Sequence, residues 1–214
     1  MQMTQVLDLG PRIELVSMDP HFHDISIALY RPGPDNAPAA YKVHTYSHLP
    51  GAAERIARVA EAMQILGGME QTSDDLLGFP CGQAHMFAVK RLFLEACKLP
   101  PAQPIEPRPL HIFDKKANTT IAVASLGQGL YEVRATQQAP GAERRVATIA
   151  RGLIRLGEME EVSDNPNQVR FGCGYSHDAL IGLLLVRAPN VRAAVREAEA
   201  MASRGVLSAP SNQE

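Results

Sequence analysis

Polar and apolar residues alternate through "LYEVRAT", residues 130–136, so that Tyr131, Val133 and Ala135 share one face of a strand and Glu132, Arg134 and Thr136 the other. The period then changes. Val146, Ile149, Leu153 and Leu156 recur at three- and four-residue spacing, which predicts a helix opened by Pro140-Gly141 and ended at Gly157. Upstream, "PLHIFD" and "TTIAVAS" read as strands, with a Gly127-Gln128-Gly129 turn reversing the chain. Downstream, "QVRFG" reads as a short strand leading to a helix through "ALIGLLLV", capped by Ser176, broken at Pro189 and resuming to about residue 203. The first half gives the same order: "IELVSM", "DISIALY" and "AYKVHTY", a helix carrying Ile56, Val59, Met63 and Leu66, then "LLGFP" and the helical "AHMFAVKRLFLEACK". Each half therefore predicts β-β-β-α-β-α, with helices covering one face of a sheet.

The likeness extends to residue identity. Shifted by ninety positions, residues 50–74 match 140–164 at twelve of twenty-five ungapped places, and Tyr41 and Val43 fall on Tyr131 and Val133. Two additional residues within "NPNQVR" then bring Phe79, Cys81, Gly82 and His85 onto Phe171, Cys173, Gly174 and His177. The expected fold class is α+β, a tandem duplication of one β-β-β-α-β-α unit whose copies form a pseudo-two-fold pair. The units run over 1–97 and 110–203. Between them lies "KLPPAQPIEPRP", residues 98–109, whose five prolines favour an extended connector that at about 3.1 Å per residue reaches roughly 37 Å. Residues 204–214 read as a flexible tail.

Bulk properties narrow the function classes. The 214 residues are 45% hydrophobic with a formal net charge of -2, and neither half has the basic excess of a nucleic-acid binder or of a protein held on acidic membranes. Aromatic content of 5% without tryptophan leaves few platforms for stacking bases. No apolar run approaches the roughly 20 residues that span a bilayer. The N-terminus lacks the pattern of a secretion signal, and three cysteines are too few for a disulfide framework. The expectation is a cytoplasmic protein with reduced thiols, no nucleic-acid partner and no membrane.

Candidate chemistry concentrates at the repeated Cys-Gly-x-x-His. A cysteine at a strand end, close to a helix start, is expected near unpaired backbone N–H groups that lower the thiol pKa. Three readings follow. If the halves bring the motifs together, Cys81, His85, Cys173 and His177 form a Cys₂His₂ site for a metal ion, zinc above others, or contact another small ligand. If each motif works alone, Cys81 and Cys173 are nucleophiles of a thiol-dependent enzyme, with the histidines as bases. Asp178 beside His177 has Met86 as its counterpart, so a triad is not repeated. The third reading is packing: a small apolar cysteine, a turn glycine and a histidine at a helix start, in a scaffold or interaction module without a small-molecule site. The metal- or ligand-binding module is the leading functional expectation.

Lesser candidates lie elsewhere. His44 and Arg134 occupy matching places on the third strand of each half and become contacts for an anionic ligand if that sheet face is covered. His21 and His23 present two imidazoles, though "DPHFHD" reads first as a turn. Arg144, Arg151 and Arg155 share a helix flank whose counterpart is Glu54, Glu61 and Ile65, a solvated face. Cys97 reads as core.

Overall fold

Alternation places half of each central strand in an apolar interior, and the strands assemble accordingly in a computed structural model that describes residues 14–16, 22–30, 38–45, 49–193 and 195–196. In the first sheet, β1 (Glu14–Val16), β2 (Ile25–Tyr30) and β3 (Ala40–Thr45) form an antiparallel meander. The chain then crosses as helix α1 (Ala52–Gly67) and returns as the hairpin β4 (Glu70–Ser73) and β5 (Leu76–Gly78), giving the order β1-β2-β3-β5-β4. Helix α2 (Met86–Lys98) follows. The second sheet has the same plan: β6 (His111–Asp114), β7 (Thr119–Gly127) and β8 (Leu130–Ala135), helix α3 (Ala142–Gly157), then β9 (Met159–Glu161) and β10 (Gln168–Phe171), in the order β6-β7-β8-β10-β9. Helix α4 (Asp178–Leu185) and a 3₁₀ turn (Ala188–Asn190) come next. The protein is thus α+β with two five-stranded antiparallel sheets.

One element differs from the sequence expectation. Each half contains a further strand, β4 or β9, so the order is β-β-β-α-β-β-α. All four residues of β4 are exposed, so no alternation marks it, and it exists because it pairs with β5. The Ser176 cap is likewise corrected. Residue His177 precedes the first turn of α4, no side chain caps it, and the Ser176 hydroxyl accepts instead from the Gly129 N–H at 3.4 Å.

The helices carry the expected stripes. Val146, Ile149, Leu153 and Leu156 of α3 are buried, as are Val59, Met63 and Leu66 of α1. Arg144, Arg151 and Arg155 face solvent. Helix α4 is apolar all round, with Leu180, Ile181, Leu183, Leu184 and Leu185 buried, the pattern of a helix enclosed by others. It packs against both α1 and α3, and α2 also reaches α3, so helices from the two halves share one continuous core. Cys97 is buried on α2 within that core.

Between the halves, the proline-rich stretch lies against the helices. The Arg58 guanidinium of α1 donates to the carbonyls of Pro100 and Gln103. At Gly182 of α4, an added Cβ would stand 2.3 Å from the Arg108 carbonyl oxygen, so only glycine allows the chain to pass there. Each half also holds a buried ion pair. The Arg55 guanidinium donates to Asp24 at 2.5 and 3.1 Å, and Arg145 donates to Asp114 at 2.6 and 3.0 Å. Both pin the turn between the first two strands of a sheet to its crossover helix. No helix among the described residues is long and apolar enough to cross a membrane. The expected tail at 204–214 lies outside the described residues.

Candidate metal centre

Strands β5 and β10 end in the same kind of turn. The Gly82 N–H donates to the Phe79 carbonyl at 2.9 Å, and the Gly174 N–H to that of Phe171 at 3.0 Å. Both glycines have φ of 71°, in the left-handed region that side chains disfavour. Around Gly174 an added Cβ would meet nothing within 4 Å. Conformation, not space, therefore calls for glycine there. The turn directs each cysteine back toward the following helix start, where the Cys81 sulfur lies 3.2 Å from His85 Nε2 and the Cys173 sulfur 3.3 Å from His177 Nε2. A backbone N–H two residues on, from Gln83 or Tyr175, donates to each sulfur at 3.4 Å.

The two motifs meet. One donor atom from each of Cys81, His85, Cys173 and His177 lies within 4.8 Å of every other, a grouping able to hold a metal ion. For zinc, bonds of about 2.3 Å to sulfur and 2.0–2.1 Å to nitrogen give a tetrahedron with edges of roughly 3.3–3.8 Å. The two sulfur–nitrogen separations already lie near that range, and the longest separation has to close by about 1–1.5 Å. Each sequence-expected ligand is thus within small side-chain movement of a four-donor shell.

Apolar rings enclose the imidazoles. Phe79 stands edge-on to His85 at 5.1 Å and to His177 at 5.3 Å, while Phe171 meets the same two rings at 5.4 and 4.9 Å. Both phenylalanines are buried. Burial holds the His85 imidazolium below its ordinary pKa. For His177, burial and then the neighbouring His85 push the value down to about 4, against an opposing pull from Asp178. Neutral imidazole is the form that binds a metal.

The thiol behaves differently from the expectation. Burial pushes Cys81 up to about 11, with the nearby Cys173 adding to the rise and the Gln83 N–H opposing it. The expected depression fails at Cys81 because α2 begins only at Met86, so the sulfur meets only the local N–H groups of Gln83 and of Cys81 itself, which burial outweighs. Without an ion the Cys81 thiol is protonated at neutral pH, which weakens the nucleophile of the thiol-enzyme reading. Asp178 does not provide a triad either, since it accepts the Tyr131 hydroxyl at 2.8 Å.

Two tyrosines that the sequence marked only as buried strand positions support the loops. Tyr131, wholly buried, donates to Asp178 and accepts the backbone N–H of His177. Tyr41 donates to the Ala84 carbonyl and lies 3.3 Å from the Met86 sulfur, on either side of His85. Their pairing at the ninety-residue shift was the available signal, and the direction of the hydroxyls was not.

The remaining candidates do not join this centre. His44 is half-buried with Nε2 3.0 Å from the Ser26 hydroxyl. Arg134 is exposed in the other sheet, on a groove of about 870 Å³ between β8 and the start of α3. Phe22, His23 and Asp24 form the expected turn, with His23 exposed and Asp24 committed to Arg55; His21 lies outside the described residues. No family model, no curated protein and no solved structure matches this chain.

Proposed function

We propose that this chain is a zinc protein in which Cys81, His85, Cys173 and His177 bind one ion and clasp two duplicated units together. The observation that carries the reading is the convergence, within 4.8 Å, of four metal-binding atoms from motifs about ninety residues apart. Soft thiolates with imidazoles in a four-donor set suit zinc, and a shell completed by protein ligands is the mark of a structural site rather than a catalytic one. Two thiolates neutralise the ion, which makes the complex compatible with its phenylalanine walls. The N–H donors on both sulfurs and the tyrosine bonds beside both histidines supply the outer shell that orients ligands.

Duplication of one unit, with the copies spanning 1–97 and 110–203 about the connector 98–109, accounts for the shared strand order and the paired motifs. It places the ion near a pseudo-two-fold axis, where one ligand pair from each copy completes the shell. The test is metal analysis together with cobalt substitution. The expected result is one ion per chain, with intense visible bands of tetrahedral cobalt and a sulfur-to-cobalt charge-transfer band, all lost in Cys81→Ser/Cys173→Ser. A chain that takes up no zinc or cobalt, or a double variant that retains both, refutes the reading.

A further inference from the structure

We infer that the same centre is an oxidation site, at which Cys81 and Cys173 join as a disulfide and the metal ion is released. Three observations carry this. The sulfurs stand no more than 4.8 Å apart, against a bond length of about 2.03–2.05 Å. Both cysteines are partly exposed, whereas Cys97 is buried. Both occupy turns preceding their helices, so the remaining approach moves two loops and unpacks no helix.

The oxidant is a hydroperoxide. One cysteine, reacting as its thiolate, attacks the terminal peroxide oxygen, breaking the O–O bond and forming an S–O bond, and the departing oxygen takes up the proton the thiol gave up and leaves as the alcohol, or as water in the case of hydrogen peroxide. The sulfur loses two electrons to the peroxide and becomes a sulfenic acid. The second sulfur then displaces the sulfenic oxygen, which departs as water after taking up a proton. Overall, two thiols and one hydroperoxide give one disulfide, one alcohol and one water. Two of the four metal donors are consumed, and the imidazoles of His85 and His177 are too few to retain the ion. A covalent link replaces the metal link at the same place in the fold.

The release of metal rests on the zinc reading, and the cross-link does not. The experiment uses the full chain in two forms, zinc-loaded and chelator-stripped, each treated with stoichiometric hydrogen peroxide. Peptide mapping under non-reducing conditions reads the link, and a chromogenic chelator reads free zinc. The expected result in both forms is a loss of two hydrogens in mass, a Cys81–Cys173 linked peptide and an unmodified Cys97. In the loaded form, one zinc per chain is released in step with the link, and thiol reductant restores binding. Sulfinic acids on unlinked cysteines, or links between chains, overturn the inference even where zinc binds normally. A stripped chain that forms the link in a protein that never takes up zinc upholds the cross-link and removes the metal reading.

Discussion

Because each half contributes one Cys/His pair, unfolding either half dismantles the four-donor cluster, so the proposed zinc ion, if bound there, stabilises the folded chain according to its free concentration. Above the dissociation constant, each tenfold rise in free zinc adds about 1.4 kcal/mol, and a thousandfold excess adds about 4 kcal/mol. For a chain of 214 residues, each kcal/mol corresponds to a shift of about 2–4 °C in Tm. The melting temperature is therefore expected to climb about 3–6 °C per decade of free zinc, reaching about 8–16 °C at a thousandfold excess. Scanning calorimetry in chelator-buffered zinc measures the slope. Cys81→Ser/Cys173→Ser supplies the control, since both positions are partly exposed and the variant should melt close to the metal-free wild type. A wild-type Tm that stays flat across the zinc series refutes the reasoning, and so does a double variant rising with the wild-type slope.

Four further outcomes are expected. Zinc binding should release at least one proton per ion, because the Cys81 thiol, pushed up to about 11, must lose its proton to coordinate; His177, held to about 4, has none to lose at neutral pH. Affinity should thus fall at least about tenfold per unit decrease in pH near neutrality, and calorimetric titrations in buffers of different ionisation enthalpy count the protons. Arg145→Met strands the nearly inaccessible Asp114 carboxylate and should cost about 3–5 kcal/mol in urea denaturation. At Asp114 burial acts to raise the pKa, but the Arg145 guanidinium and the Ala117 and Lys116 N–H groups outweigh it and hold the carboxyl below its usual range. Its contribution is accordingly complete above about pH 4 and lost as pH falls through the lower folded value, so Asp114→Asn should flatten the acid side of the stability curve. Tyr131→Phe removes the bonds to Asp178 and the His177 N–H and should weaken zinc binding by about 10–100-fold, read by competition with a chromogenic chelator.

How much of this was legible in the sequence depended on whether a residue's role is local. Alternation at Tyr131 and Val133, and helical spacing at Val146, Ile149, Leu153 and Leu156, follow from the backbone's own periods, and those side chains are buried as expected. Strand β4 has no buried side chain, so periodicity contained nothing to find. The Asp24–Arg55 and Asp114–Arg145 pairs and the Tyr131–Asp178 bond join residues 31 to 47 positions apart, and chain spacing does not encode such directions. The thiol environment escapes the sequence for a related reason. Its pKa depends on which atoms crowd the sulfur in space, and those include the sulfur of the other motif.

The two motifs are alike in chemistry and unlike in support. His85 has φ 45 and ψ 51, a left-handed conformation that costs an ordinary side chain about 1–2 kcal/mol, whereas His177 has φ -124 and ψ 62. Part of what holds the strained loop comes from the opposite half: Glu158, beyond the end of α3, accepts the Phe87 N–H at 3.2 Å in the first turn of α2. Farther along α2, Glu95 pairs with Arg187 beyond α4 at 2.8 Å. Phe79 and Phe171 each touch both imidazoles, so neither half builds its ligand surroundings alone. The residue types match at sulfur and imidazole, the atoms able to hold an ion, while the contacts fixing each loop differ. An arrangement of that kind ties the assembly of the centre to the docking of the halves, because the ligand geometry of each depends on packing supplied by the other.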